Sequence, residues 1–532
     1  MFLRINDLRI GLENKRPLEE VAGDKLHLGK GNIKSLKILR RAIDARRKNN
    51  ICLVYHLLIE VDLAKEKYTR LLTEKNVLPW EVKPLPPIEY GREQITDRPV
   101  VIGSGPAGLL AALELAKNGY QPLLLERGPE LAQRIKDVET FWHKGEFNPL
   151  SNVQFGAGGA GTFSDGKLTT RVNDPVLTYI LQAFVQAGAP EEILYEQKPH
   201  VGTDKLRAMV TGLIQEICAL GGEIRYNTQV AEILATDNRV KGIKTQTGEI
   251  INTNAVVLAC GHSARDTYEM LVAKKVAVEG KDFAIGVRVE HEQELINKAQ
   301  YGAYAHNPKL GAADYALIFH EQQGGRTAYS FCMCPGGKIV ASASETGGLV
   351  TNGMSLYKRD SGLANSALVV NVGVRDFGTN PLAGMEFQRK YERLAFQVGG
   401  CNYQAPAQNT LSFLAGSAPS LAVGFQPSYL PGLVAAKLED VLPNFVTAVL
   451  RQGLQNFDRR LPGFAQAGLM VGVETRTSAP LRIIRGQDGQ SITHKGLYPT
   501  GEGAGYAGGI MSAALDGYHQ AVHIMERFAP GQ

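Results

Sequence analysis

Six residues, Gly103-Ser104-Gly105-Pro106-Ala107-Gly108, follow the apolar run Pro99-Val100-Val101-Ile102, and a second apolar run, Pro122-Leu123-Leu124-Leu125, ends on Glu126. Glycines at this spacing suit phosphate chemistry. Gly103 permits a tight turn, Gly105 lets backbone approach a pyrophosphate, and Gly108 lets the following helix pack on its strand. The N-terminus of that helix, over Leu109 to Asn118, offers free N–H groups and partial positive charge to an anion. Glu126 lies 18 positions past Gly108 and is placed to accept hydrogen bonds from an adenosine ribose, with Arg127 beside it. Such a unit holds a dinucleotide, either FAD or NAD.

Residue types suited to redox and proton chemistry recur downstream. Cys332 and Cys334 occupy Phe331-Cys332-Met333-Cys334-Pro335-Gly336-Gly337. Two apart on a strand, their thiols share one side. They read as a nucleophile, proton donor or redox relay, or as small buried hydrophobes. In Ser164-Asp165-Gly166-Lys167, the lysine could stabilise negative charge on a reduced cofactor ring. Lys167 and Arg171 are equally readable as solvated loop cations. Lys167, Cys332 and Cys334 are the candidate catalytic residues. Glu474 and Arg476 alternate on a predicted strand and share a face with Ser478, which suits either a carboxylate or phosphate anchor or a structural ion pair. His262, His320 and His494 are widely separated and read as satisfied polar residues before general bases. No second Cys/His pair has ligand spacing, so no metal site is expected.

Which dinucleotide is meant depends on the elements around the first turn. FAD is longer than one strand–helix–strand unit can serve, so it demands backbone contacts from distant segments. Three segments have that character. The loop Asn152 to Arg171 (NVQFGAGGAGTFSDGKLTTR) offers Phe155, Gly156, Gly158, Gly159, Gly161 and Thr162. A buried strand from Ala255 ends in Cys260 and Gly261, with Val230 as a further contact on a neighbouring strand. Near the C-terminus Gly501, Glu502 and Gly503 precede Gly508, Gly509 and Ile510, where a helix begins. An acid there can bind a ribityl hydroxyl, and the helix start can face the electron-rich end of a flavin.

These residues carry a resemblance. Ala259-Cys260-Gly261 and Leu497-Tyr498-Pro499-Thr500-Gly501-Glu502 resemble two segments of the glutathione-reductase-type FAD fold, with Glu502 where that fold usually has Asp. Phe155 to Leu168 (FGAGGAGTFSDGKL), Phe331 to Gly337, Thr351 to Ser355 (TNGMS) and Glu474 to Ile483 (ETRTSAPLRI) are similar to an uncharacterised bacterial family of FAD-dependent dehydrogenases, over essentially the whole chain. The resemblance implies FAD and fixes no substrate. No second strand–GxGxxG–helix stands out between 172 and 465, so NAD(P)H, if it is the donor, is expected to dock transiently at the flavin.

The implied fold class is α/β and α+β: a glutathione-reductase-type, Rossmann-like FAD domain with an inserted mixed α+β cap domain and a small N-terminal α/β module. Boundaries fall at 1–95 for the module and linker, 96–282 and 466–532 for the two parts of the FAD domain, and 283–465 for the cap. Within the module the spacing of Leu36, Leu39 and Ile43 predicts a helix over Ile33 to Asn49, and Ile51 to Val61 reads as a strand. In the cap one helix is expected near Ala435 to Arg451, among strands and loops. The 532-residue chain carries a net charge of +5, of which +6 belongs to residues 1–90 and −1 to the remainder. Lys34, Lys37, Arg40, Arg41, Arg46, Arg47 and Lys48 could thus track nucleic-acid phosphates or form a solvated basic face. No apolar run is long enough to cross a membrane, the N-terminus lacks a signal-peptide core, and six cysteines make no disulfide framework, so a cytoplasmic location is expected. The expected activity is two-electron hydride transfer to or from a small-molecule substrate by an FAD-dependent oxidoreductase. The alternatives are a flavin-dependent tRNA-modifying enzyme and a non-catalytic FAD-binding scaffold. Oligomeric state stays open.

Overall fold

The short, wholly apolar runs before the glycine turn and before Glu126 become neighbouring strands buried on both faces, as a parallel sheet requires. Their sheet has five parallel strands in the order Leu497–Pro499, Val256–Leu258, Val100–Ile102, Leu123–Leu125 and Glu223–Arg225. In this computed structural model residues 1–29, 31–81, 84–95, 97–322 and 324–530 are described. Thr96, the expected first residue of the FAD domain, and Gly531 and Gln532, its expected end, lie outside them. The helix Pro106–Lys117 leaves the central strand and packs against the C-terminal helix Ile510–Arg527. A Cβ on Gly517 would lie 2.0 Å from the Ala107 carbonyl oxygen, so the two helices touch backbone to backbone there.

A second, seven-stranded sheet stands apart from the first. Its seven strands run Ile318–His320, Thr327–Cys334, Leu363–Val372, Phe283–Glu292, Leu469–Glu474, Ala405–Asn409 and Leu433–Ala435. All neighbouring pairs are antiparallel except the last, which is parallel. The ribbon Gly337–Ala341 and Thr351–Ser355 lies beside it.

Three expectations need correction here. The segment expected as a helix over Ile33 to Asn49 is the strand Ile33–Asp44, paired with Cys52–Val61 at the edge of a four-stranded antiparallel sheet. Leu36 and Ile38 also satisfy a two-residue period, and pairing with a strongly apolar neighbour overrides helical spacing. In the large sheet's region the expected helix near Ala435 to Arg451 is Asn444–Arg460 instead, preceded by the strand Leu433–Ala435. Pro443 stands immediately before its first residue, where a missing N–H costs nothing. That region also holds more than one helix, among them Gln293–Tyr301 and Ala383–Val398.

Candidate functional site

A cavity of roughly 610 Å³ runs between the two large sheets. Its outer half is walled largely by backbone. Gly103 (φ +100°) turns the chain out of the first strand, and a Cβ there would lie 2.3 Å from the Ala259 carbonyl oxygen. Gly159, from the 152–171 loop, comes back to back with Gly105: its Cβ would lie 2.8 Å from the Gly105 Cα. The third glycine segment, Gly508-Gly509, lines the cavity with nothing within 4 Å of where a Cβ would stand. It opens the helix Ile510–Arg527, whose first-turn N–H groups lack helical acceptors. Of the residues expected to hold the cofactor, Gly103 to Ala107, Glu126, Arg127, Phe155, Gly159, Gly161, Val230, Cys260, Gly261, Glu502 and Gly508 to Ile510 line this one cavity. Gly108, Gly156, Gly158, Thr162, Gly501 and Gly503 stand behind that lining.

Glu126 is buried and its four acceptor positions are filled. Oε2 accepts from the Ser104 N–H (3.0 Å) and hydroxyl (2.5 Å), and Oε1 accepts from the N–H groups of Gly128 (3.0 Å) and Gly156 (3.1 Å). It therefore ties the two glycine loops together. Arg134, which sequence reasoning missed, does the same from below. Fully buried, it donates to the carbonyls of Asn152, Val153, Gly156 and Ala157 at 2.6–3.2 Å. Burial draws its pKa down to about 9, against the pull of Glu126. A signal existed: Arg134 falls on the buried stripe of its helix with Val138, Phe141 and Trp142. An arginine on such a stripe needs a built set of acceptors.

The inner half of the cavity is walled by side chains. Lys167 pairs with Asp165 at 2.9 Å and donates to the Met333 carbonyl. Burial lowers its pKa, but Asp165 together with the neighbouring Cys334 and Cys332 more than restores it, so Lys167 stays an ammonium. Asp165 is shared with Arg359 through two bonds of 3.0 and 2.6 Å. Despite burial, Lys167 and Arg359 hold it well below the usual carboxylate range. Glu474 lines the same wall, 3.5 Å from the Nε of the fully buried Arg288. Burial, against Arg288, pushes its carboxyl up to about 7. Glu502, at the other sheet, is pushed by burial up to about 7 against Lys281, and its carboxylate has no hydrogen-bond partner among the described residues.

The cysteines depart from expectation. A bulge between Phe331 and Cys334 places Cys332 at φ +44°. The bulge breaks the regular strand alternation there; Cys332 is exposed and Cys334 buried, and both line the cavity. Deep in the protein, burial pushes the Cys332 thiol up to about 12 against Lys167 and Arg288. Arg476 and Glu474 do not pair with each other. Arg476 forms a two-bond pair (2.8–2.9 Å) with Glu392, which Arg265 grips from the other side (2.8–2.9 Å). His262 lines the cavity, drawn by burial and by Arg476 and Arg265 down to about 3. His320 lies on a sheet edge and His494 beside Thr493, neither among the lining residues. Among the described residues no group of three or more His, Cys, Asp or Glu could hold a metal ion. No described helix is long and apolar enough to cross a membrane.

The glycine-walled half fits FAD: a cradle that side chains would fill, open helix-start N–H groups, and an unpartnered acid at Glu502. Comparison with known proteins agrees. Residues 282–477 match a family described as "FAD-dependent protein, C-terminal domain-like". Residues 199–320 match "FAD dependent oxidoreductase" and 101–167 an "NAD(P)-binding Rossmann-like domain". Residues 2–60 match a domain of unknown function. An "Uncharacterized protein" of Clostridium beijerinckii is 48% identical over 532 residues, 99% of each chain. Among solved structures, an L-proline dehydrogenase from P. horikoshii (TM-score 0.38, 15% identity) overlaps 81% of this chain and 93% of its own. A glycine oxidase from Bacillus cereus (TM-score 0.35, 13% identity) overlaps 81% and 95%.

Proposed function

The chain belongs to a family of FAD-dependent oxidoreductases, and we propose that this enzyme performs two-electron hydride transfer on a small-molecule substrate bound between the cofactor and the seven-stranded sheet. One observation carries the proposal: three glycine segments far apart in the chain meet on one cavity that ionisable side chains, Asp165, Lys167 and Glu474 among them, also line. Residues 96–282 and 466–532 would hold FAD, residues 283–465 would cap it, and residues 1–95 would form an accessory module. FAD supplies, when bound, the centre that accepts or returns a hydride. The backbone of 103–108, 155–162 and 501–510 would bind the cofactor's length, while Glu126 and Arg134 keep the loops in register. Glu502 is free to bond a ribityl hydroxyl. Lys167 keeps a positive charge on the cavity wall and would favour negative charge developing on a cofactor ring held beside it. Cys332 and Cys334 complete the wall, and the high pKa of Cys332 favours a thiol over a thiolate.

The basic stretch of the N-terminal module gives no support to a nucleic-acid substrate. On the strand Ile33–Asp44 its cations point to different sides, and Lys34, Arg41 and Arg46 pair with Asp62, Glu196 and Asp44. A cytoplasmic setting suits the six free cysteines. NAD(P)H is proposed as a transient donor. The test is FAD reconstitution followed by anaerobic mixing with NADPH, NADH and a metabolite panel. Bleaching of the bound flavin by any of them supports the proposal. A protein that binds FAD but is bleached by none, and is not reoxidised after photoreduction, would leave a non-catalytic scaffold.

A further inference from the structure

Three cations and two carboxylates meet at the inner end of the cavity. Lys167, Arg359 and Arg288 face Asp165 and Glu474 there. The cluster carries a surplus positive charge even with Glu474 ionised, and a larger one when Glu474 holds a proton. Two of the cations are spent. Arg359 gives its fork to Asp165, and Arg288 is fully buried behind Glu474, donating to the Cys332 carbonyl at 2.9 Å. Lys167 alone reaches the cavity, with two of its three donors engaged by Asp165 and Met333. Glu474 Oε2 is held by Thr351 and Arg288, both at 3.5 Å, and Oε1 has no partner among the described residues. Lys167 donates to the Met333 carbonyl and Arg288, which pairs with Glu474, donates to the adjacent Cys332 carbonyl, which brings Lys167 and Glu474 to the same end. Tyr315, Phe331 and Met333 line the same cavity and offer an organic stem apolar surface.

We propose that this end of the cavity is a subsite for a small carboxylate-bearing molecule, whose carboxylate pairs with Lys167 and whose admission depends on the proton at Glu474. One available ammonium donor suits a compact monoanion. A phosphate dianion would demand several convergent donors. A protonated Glu474 adds no like charge beside the ligand, whereas an ionised one repels it. Arg288 is the charged group that faces Glu474, and both lie beside the Cys332 thiol, as Lys167 does; those facing Lys167 are Asp165, Arg359 and His200, whose pKa burial lowers. The inference rests on the FAD reading for its substrate role and on this cluster alone for its chemistry.

The holoprotein is titrated with acetate, propionate and benzoate, and with acetamide, propionamide and benzamide, following the flavin absorbance and the thermal midpoint. Saturable binding of the acids, with the amides weaker by about tenfold or more, is the expected result. Lys167→Met should lower acid affinity about tenfold or more, and Lys167→Arg should restore most of it. Affinity should fall as pH rises through about 7, and Glu474→Gln should flatten that dependence. Amides binding as well as acids, Lys167→Met binding acids like the wild type, or an FAD-loaded protein that no acid perturbs would each overturn the subsite. A protein that takes up no FAD would instead overturn the cofactor reading, and the thermal midpoint with acids would still report on the subsite.

Discussion

The outer and inner halves of the cavity are built from different materials. Backbone glycines wall much of the outer half, supplied by three segments that each read as a continuous motif, 103–108, 155–162 and 501–510. Side chains wall the inner half, and they come singly from segments distant in sequence: Cys332 and Glu474 from strands, the latter backed by Arg288, and Lys167 from a loop. A backbone cradle tolerates little beyond glycine but needs few exact partners. A side-chain cluster works through charge balance, so each member sets the protonation of the others. The first kind of site fixes which cofactor is held, and the second decides what meets it.

The largest effect should come from one of the two side chains, Glu126 and Arg134, on which the outer half depends. Arg134→Met removes the donor for four buried carbonyls and should destabilise the protein by about 3–5 kcal/mol, read by urea unfolding with FAD release alongside. A loss below about 1 kcal/mol would mean that the glycine loop holds its own shape, and the contrast between the halves would sharpen. Next comes Gly159→Ala. It places a Cβ 2.8 Å from the Gly105 Cα at φ +62°, and the crowding and strain together should weaken FAD binding about 100-fold, measured by flavin release on dilution. An unchanged affinity would break the claim that the two glycine loops must touch.

A smaller effect separates the halves by pH. Glu474 ordinarily titrates near 4.5 and is raised to about 7 in the fold. The native state then binds more protons than the unfolded chain between these values, so stability falls as pH rises through that window. Glu474→Gln should remove a slope worth on the order of 1–2 kcal/mol in the apoprotein, followed by urea midpoints over a pH series. Glu502, raised in the same direction by burial, should behave alike in the apoprotein through Glu502→Gln. A steepened slope in either variant would reverse the sign argued here.

Much of the outer half was legible because glycine spacing is local: a turn, a close approach and a helix start lie within six residues of one another. Glu126 was legible as an acid at the right place, although its four hydrogen bonds go to the loops. The inner half was not legible in the same way. Lys167 and Cys332 stood out by type, but nothing in sequence spacing joins Arg288 to Glu474 or Glu392 to both Arg265 and Arg476, because those pairs form only when the sheets pack. The strand Ile33–Asp44 failed for a related reason, since its partner strand decides between two periods that its residues satisfy equally.

The smallest effect concerns Cys332, the residue on which type and environment disagree most. By type it is a nucleophile exposed to a cavity beside an ammonium, and a neighbouring cation ordinarily lowers a thiol's pKa. Here burial outweighs Lys167 and Arg288 together and pushes it up to about 12. A thiol so placed should be alkylated by iodoacetamide slowly and at a rate that still climbs with pH between about 7 and 9, with no plateau from a preformed thiolate. Cys332→Ser removes the signal without removing a hydrogen-bonded partner, because the bond from Arg288 ends on the backbone carbonyl of residue 332. It should shift the urea midpoint by about 1 kcal/mol or less and leave FAD affinity within about threefold. A rate already at its plateau near neutral pH would place a thiolate at the inner end, and would turn a wall residue into a reacting one.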